Sequence, residues 1–207
     1  MGNEANCGVR VGRRQVRGKA LLETSELVIR GAQDGFRLKI AFSSIKDAKA
    51  VDGELRLQTV DGLVTLELGA AAEKWCEKIL HPKSRIEKLG VKAGTTVGLI
   101  GDFNFDVEFV TELRTRTINV SKDKAATDSE AVLFSVASAK ELAQVSHLAK
   151  SLQSTAALWV VYPKGQKTIT ENDVLGAGRK AGLKDVKVVR FSVTHTALKF
   201  VVPLDRR

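Results

Sequence analysis

Aromatic residues make up only 5% of this chain. A single-strand nucleic-acid binder needs stacking rings interleaved with cations, and no stretch has that pattern. Cysteine is nearly absent: Cys7 and Cys76 stand alone, and neither they nor His81, His147 and His195 fall at metal-ligand spacing. A disulfide framework and a structural zinc site are therefore not expected. The longest unbroken apolar run is the seven residues 156–162. A bilayer span needs about 20, so no transmembrane segment is expected. The first 20 residues carry Arg10, Arg13, Arg14, Arg17 and Lys19 where a secretory signal would be apolar. A reducing cytoplasm is the expected location. Also missing are a P-loop, a Gly-x-Ser-x-Gly elbow, a His-Glu-x-x-His helix and a Cys-x-x-Cys pair.

What is present is the composition of a globular chain, 43% apolar and 28% charged over 207 residues. That length accommodates two small domains. The net charge of +9 suits an anionic partner, but the cations are spread along the chain. A solvated basic surface is favoured over a nucleic-acid role. The unidentified partner is expected to be a protein or an anionic small molecule.

Residues 1–14 are polar, basic and glycine-containing, and read as a flexible tail. From there the pattern is one of short strands. Phe36, Leu38, Ile40 and Phe42 alternate with polar residues. Leu55 with Leu57, and Val64, Leu66 and Leu68, do the same. Val16–Glu23, Glu26–Arg30 and Ile45–Val51 complete a meander of about six strands. Asp-Gly pairs at 34–35, 52–53 and 61–62 are hairpin signals, because both residues tolerate positive φ. A helix over Ala70–Leu80 puts Ala72, Trp75, Cys76, Ile79 and Leu80 on one stripe. Trp75 and Cys76 are expected to be core residues. Lys83–Gly94 reads as a short basic linker with room for one helical turn, which Leu89 and Val91 could tether to a neighbour.

The pattern then changes to alternating strand and helix. Strands are expected at Thr96–Ile100, Thr117–Val120, Ala131–Val136, Ala156–Tyr162, Val186–Phe191 and Ala197–Val202. Helices are expected around Phe105, Phe109 and Leu113, over Ser138–Leu152, and from a capping box at Thr170 and Asp173 to near Gly182. Lys122–Glu130 reads as a loop. The seven apolar residues 156–162, stopped by Pro163, are those of a strand buried on both faces.

Two resemblances follow. Residues 15–82, through Phe42-Ser-Ser-Ile-Lys-Asp-Ala, the Asp-Gly hairpins and Gly69-Ala-Ala-Ala-Glu-Lys-Trp75, resemble the pleckstrin-homology-like or GRAM-like small antiparallel barrels closed by one C-terminal helix. Residues 95–207 resemble a doubly wound, Rossmann-like sheet with a terminal antiparallel hairpin, a truncated class I methyltransferase-like fold lacking one β-α unit after Val120. The fold class expected is thus α+β followed by α/β. Within this half, Leu158-Trp-Val-Val-Tyr-Pro-Lys164, Thr170–Val174, Ala181-Gly-Leu-Lys-Asp-Val-Lys187 and Thr194-His-Thr-Ala-Leu-Lys-Phe-Val201 are similar to a bacterial domain family of unknown function. That resemblance implies a bacterial cytoplasmic protein and brings no established activity.

In methyltransferase-like folds the cofactor lies beyond the first strand, on a glycine-rich loop. Here the loop reads Leu99-Ile-Gly-Asp-Phe-Asn104, with one glycine, and Phe103 tends to fill the space a cofactor needs. An acidic ribose partner is also wanting, with only Asp123 near. No cofactor and no catalytic residue is assigned. Gly101, Asp102, Lys164 and His195 are the candidate ligand-binding residues, because strand ends at a sheet cleft gather them. The preferred reading is a non-catalytic binding or scaffold protein. The alternative is a small-molecule enzyme or nucleotide-ligand sensor that uses this cleft.

Overall fold

The computed structural model describes residues 3–32, 35–122 and 128–206. It divides into two compact units, Met1–Lys83 and Ser84–Arg207.

The first unit contains β1 (Asn3–Val11), β2 (Arg14–Leu22), β3 (Glu26–Gly31), β4 (Arg37–Ala41), β5 (Ile45–Val51), β6 (Glu54–Thr59), β7 (Gly62–Glu67) and α1 (Ala72–Leu80). The strands form one curled antiparallel sheet in the order β4-β3-β2-β1-β7-β6-β5. The expected flexible tail is therefore corrected: residues 3–11 are the middle strand, paired with β2 on one side and β7 on the other. Ala5, Cys7, Val9 and Val11 carry the alternation that puts them against the core. Small side chains and the intervening Gly8 mask that pattern in the sequence.

At 52–53 the turn is as expected, with Asp52 and Gly53 both at positive φ. The turn at 61–62 slips by one residue: Val60 and Asp61 make it, and Gly62 already pairs with Thr59. Thr59 Oγ1 fixes the slip by donating to the Gly62 carbonyl and accepting from the Asp61 N–H. The pair at 34–35 begins outside the described residues. Helix α1 lays Ala72, Trp75, Cys76 and Ile79 on the core face of the sheet. Burial raises the pKa of both cysteine thiols, which stay neutral and pack as small core hydrophobes.

The second unit runs α2 (Arg85–Leu89), β8 (Val97–Ile100), α3 (Val107–Arg116), β9 (Val120–Lys122), β10 (Ala131–Ser135), α4 (Gln144–Ser151), β11 (Ala157–Pro163), α5 (Glu171–Lys180), β12 (Lys184–Arg190) and β13 (His195–Val201). Its sheet has the order β12-β13-β11-β10-β8-β9. Strands β9, β8, β10 and β11 are parallel neighbours. Strand β13 is antiparallel to both β11 and β12.

Every residue of β11 is buried. Its side chains alternate between two cores. Ala157, Trp159 and Val161 join Phe109 and Leu113 of α3 on one face. Leu158, Val160 and Tyr162 join Val145 of α4 and Val174 of α5 on the other. Two covered faces explain why this strand reads as unbroken apolar sequence.

One further expectation is sharpened and three change. The linker at 83–94 contains α2, capped by Ser84 and Glu87 in a capping box. Ile86, Leu89 and Val91 are buried in the core of the second unit. Phe105 precedes α3 rather than lying on it, because Asp106 is the N-cap and accepts the Phe109 N–H at 3.0 Å. The helix expected over 138–152 is α4 alone, preceded by a tight 3₁₀ turn at Glu141–Ala143. The weak strand at 117–120 lies later, as β9, because Thr117 is buried and donates to the Thr95 carbonyl at 2.7 Å. The loop expected at 122–130 falls largely outside the described residues, as does Asp123.

Candidate functional site

The connection leaving β8 goes through α3 to β9 on one side, whereas the next strand, β10, lies on the other side of β8. The connections leaving β8 and β10 therefore run to opposite faces of the sheet, α3 on one and α4 on the other, and such a switch point is where open α/β sheets form a crevice. A crevice of about 520 Å³ lies there, bordered by Gly101, Asp102, Phe105, Ser135, Glu141 and His195. A second hollow of about 300 Å³ lies on the β9 side of the same loop, against Phe103, Val107 and Lys122.

Three of the four candidates, Gly101, Asp102 and His195, thus border one crevice. Lys164 does not. Its backbone N–H donates to the Thr194 carbonyl and its Nζ to the Ser192 carbonyl, at 2.9 and 3.3 Å. It closes the turn below β13 and acts on His195 by charge alone.

Gly101 has a packing role. Its φ is 86°, and a Cβ there would overlap the Ser135 carbonyl oxygen. The ends of β8 and β10 approach this closely only because residue 101 has no side chain. Asp102 accepts the Asn104 N–H at 2.8 Å and shapes the loop.

The wall of the crevice is aromatic. Phe103 is buried and stacks on Phe105 and Phe109 at 5.9 and 5.8 Å between centroids. Phe191 packs on the same group, 4.5 Å from Phe109. Phe105 lies nearly flat on the His195 ring, with centroids 3.8 Å apart and planes at 18°. Phe103 packs into this group while the crevice beside Gly101 stays open, and Phe105 extends the packing to the imidazole.

Behind the rings lies Arg85. Its Nη1 and Nη2 donate to Asp106 at 2.5 and 3.2 Å, and its Nε and the same Nη2 donate to Glu112 at 2.7 and 3.0 Å. Its guanidinium sits over Phe109. Burial opposes its charge, but the bonds to Glu112 and Asp106 outweigh this and raise its pKa.

His195 Nδ1 pairs with Thr194 Oγ1 at 2.9 Å, and its N–H donates to Ser192 Oγ. Burial lowers the imidazole pKa, against the pull of Asp106 and with the repulsion of Lys164. The ring is accordingly neutral near neutral pH. Glu141 is committed locally: it accepts the Ala137 N–H at 2.8 Å and the Ser138 hydroxyl at 3.1 Å. Among the described residues no hydrogen bond joins His195 to a carboxylate, so the orienter–base–nucleophile chain of a hydrolytic triad is not assembled.

Sequence reasoning missed Ser135 and Glu141 at the crevice and Lys122 at the neighbouring hollow. Ser138-x-x-Glu141 has capping-box spacing, which is a readable signal. Lys122 stands at the carboxyl end of β9, where dinucleotide folds carry an acidic ribose partner.

No family model and no curated protein matches the chain. Among solved structures it is similar to a TehB-like SAM-dependent methyltransferase from Corynebacterium glutamicum, at 8% identity and a TM-score of 0.37, over 64% of this chain and 96% of that one. It is similar to magnesium protoporphyrin IX methyltransferase from Synechocystis, at 14% identity and a TM-score of 0.37, over 57% and 74%. It is also similar to the C-terminal domain of an unknown protein from Leishmania infantum, at 16% identity and a TM-score of 0.30, over 35% and 72%.

Proposed function

We propose that this chain is a non-catalytic binding or scaffold protein. In this reading the first unit is a pleckstrin-homology-like barrel and the second a truncated, degenerate class I methyltransferase-like domain. The seven-stranded antiparallel order followed by one helix supports the first assignment. The parallel strands with an antiparallel last pair support the second.

The observation that carries the functional reading is the loop after β8. Its single glycine is needed to clear the Ser135 carbonyl, and its two phenylalanines pack into the Phe109–Phe191–His195 group. Backbone that a cofactor-binding loop would open to a ligand is here given to packing. Lys122 at the end of β9 places a cation where a ribose hydroxyl pair would need an acceptor. The test is methyl transfer from S-adenosylmethionine to a panel of acceptors. No turnover is expected, and turnover of any acceptor overturns the reading.

One observation favours a second reading, a ligand sensor: Gly101, Asp102 and His195 do border a crevice of about 520 Å³. Ligand pockets have volumes of this order. Thermal shift against nucleotides, sugar phosphates and S-adenosylmethionine separates the two readings. A ligand at 100 times its Kd adds about 2.7 kcal/mol, and no shift from any of them removes this alternative.

A further inference from the structure

The outer face of the first sheet carries a row of cations in cross-strand register. Lys19 on β2 lies directly opposite Arg30 on β3, which lies directly opposite Arg37 on β4. Arg17 is two residues along β2 on the same face. All four side chains are exposed. Like charges directly opposite one another destabilise a sheet. Among the described residues this row has one ion pair, Lys19 with Glu4 at 2.8 Å, and Arg17, Arg30 and Arg37 pair with no carboxylate. Exposed pairs of that kind contribute little.

Arg17, Lys19 and Arg30 border a shallow depression of about 500 Å³, with Asn6, Gly8 and Gly18 at its base. Adding a Cβ at Gly18 would overlap the Arg30 carbonyl, and adding one at Gly8 would overlap the Glu67 carboxylate. The Glu67 carboxylate occupies the space over Gly8 and lines the depression together with the three cations, which outnumber it.

We propose that this depression binds a compact, soluble polyphosphate. Three of the four cations are arginines, whose planar forks match phosphate oxygens two at a time. Strands about 4.8 Å apart, with about 3.4 Å per residue along each, give the cations a footprint of roughly 10 by 7 Å. That is the extent of two or three linked phosphates. Glu67 is the one carboxylate within the depression, and carboxylates also flank the patch, Glu4 beside Lys19 and Glu26 beside Lys39. Such a rim repels a polyanion that runs on past the patch, so a nucleic-acid backbone is the poorer fit. The site is independent of the crevice in the second unit.

The test is calorimetric titration of the full chain with inorganic triphosphate at fixed ionic strength. Saturable one-to-one binding is expected. Arg30→Gln should weaken it about tenfold or more, the loss typical of a charge-assisted contact. Arg37→Gln should weaken it less, and Arg30→Lys should recover part of the loss. Lys78→Gln removes the same charge from α1, and should leave the affinity within about twofold of the parent. Without ligand, Arg30→Gln should raise the melting temperature by relieving the like-charge row. Absence of saturable binding overturns the proposal. So does an equal loss in Lys78→Gln, or binding only to phosphoinositide vesicles or duplex RNA and not to triphosphate.

Discussion

Gly101→Ala separates a glycine kept for packing from one kept for a ligand. At φ 86° an alanine incurs left-handed strain, roughly 1–2 kcal/mol. Its Cβ would also stand 3.4 Å from the Ser135 carbonyl carbon and 3.6 Å from the Ser135 Cβ, and overlap the carbonyl oxygen between the two strand ends. Prising apart β8 and β10 adds an overpacking cost of roughly 1–3 kcal/mol. The expected total is about 2–5 kcal/mol. Gly165→Ala is the matched control: its φ is 74°, with nothing within 4 Å of the added Cβ, so only the strain applies. Scanning calorimetry on both variants should show Gly101→Ala melting lower than Gly165→Ala by roughly 3–12 °C, at about 3–4 °C per kcal/mol for a unit of this size. Equal melting temperatures would refute the close approach of the two strand ends, and with it the packing role given to this glycine.

Three further outcomes can be checked. On α5, Gly176→Ala has open space and should stabilise by about 0.5–1 kcal/mol. Gly178→Ala, two residues on, would meet the Phe200 ring and should destabilise by about 1–3 kcal/mol; urea midpoints of the same sign for both would be wrong. Arg85→Met leaves the mostly buried Asp106 without its cation and should cost about 2–4 kcal/mol in chemical denaturation. A change below about 0.5 kcal/mol would mean the network is solvated. His195 has a lowered folded pKa, so between that value and the unfolded value near 6.5 the unfolded chain binds more protons. Its contribution is therefore complete above about pH 6.5 and lost as pH falls through the folded pKa. His195→Gln should flatten the melting temperature between about pH 5 and 7, and an unchanged slope would assign the effect to other groups.

Elements with strong periodicity were legible in the sequence. Strand β11 reads as buried on both faces because both its faces are covered, and α5 begins at Thr170 because Thr170 and Asp173 cap each other there. Strand β1 was not legible, because Ala5 and Cys7 are small and Gly8 interrupts them. Helix α2 was legible only as one helical turn in a basic linker, although Ser84 and Glu87 spell its start. At the crevice, Gly101, Asp102 and His195 could be named from strand ends. Phe105 could be named beside the loop, but its contact with His195 could not, because it joins residues that only the closed sheet brings together.

Strand β1 also sets the order of events in folding. Among the described residues it is the one strand that joins β2-β3-β4 to β7-β6-β5. Its pairing with β2 is a local hairpin, but its pairing with β7 joins Val9 to Leu66. On the ribosome its second edge therefore waits unpaired until β7 has been made. Closure of so long a loop is the slow kind of contact. Deleting residues 1–14 would not trim a tail but cut the sheet into two three-stranded halves, so a loss of binding in such a truncation would report lost folding of the first unit.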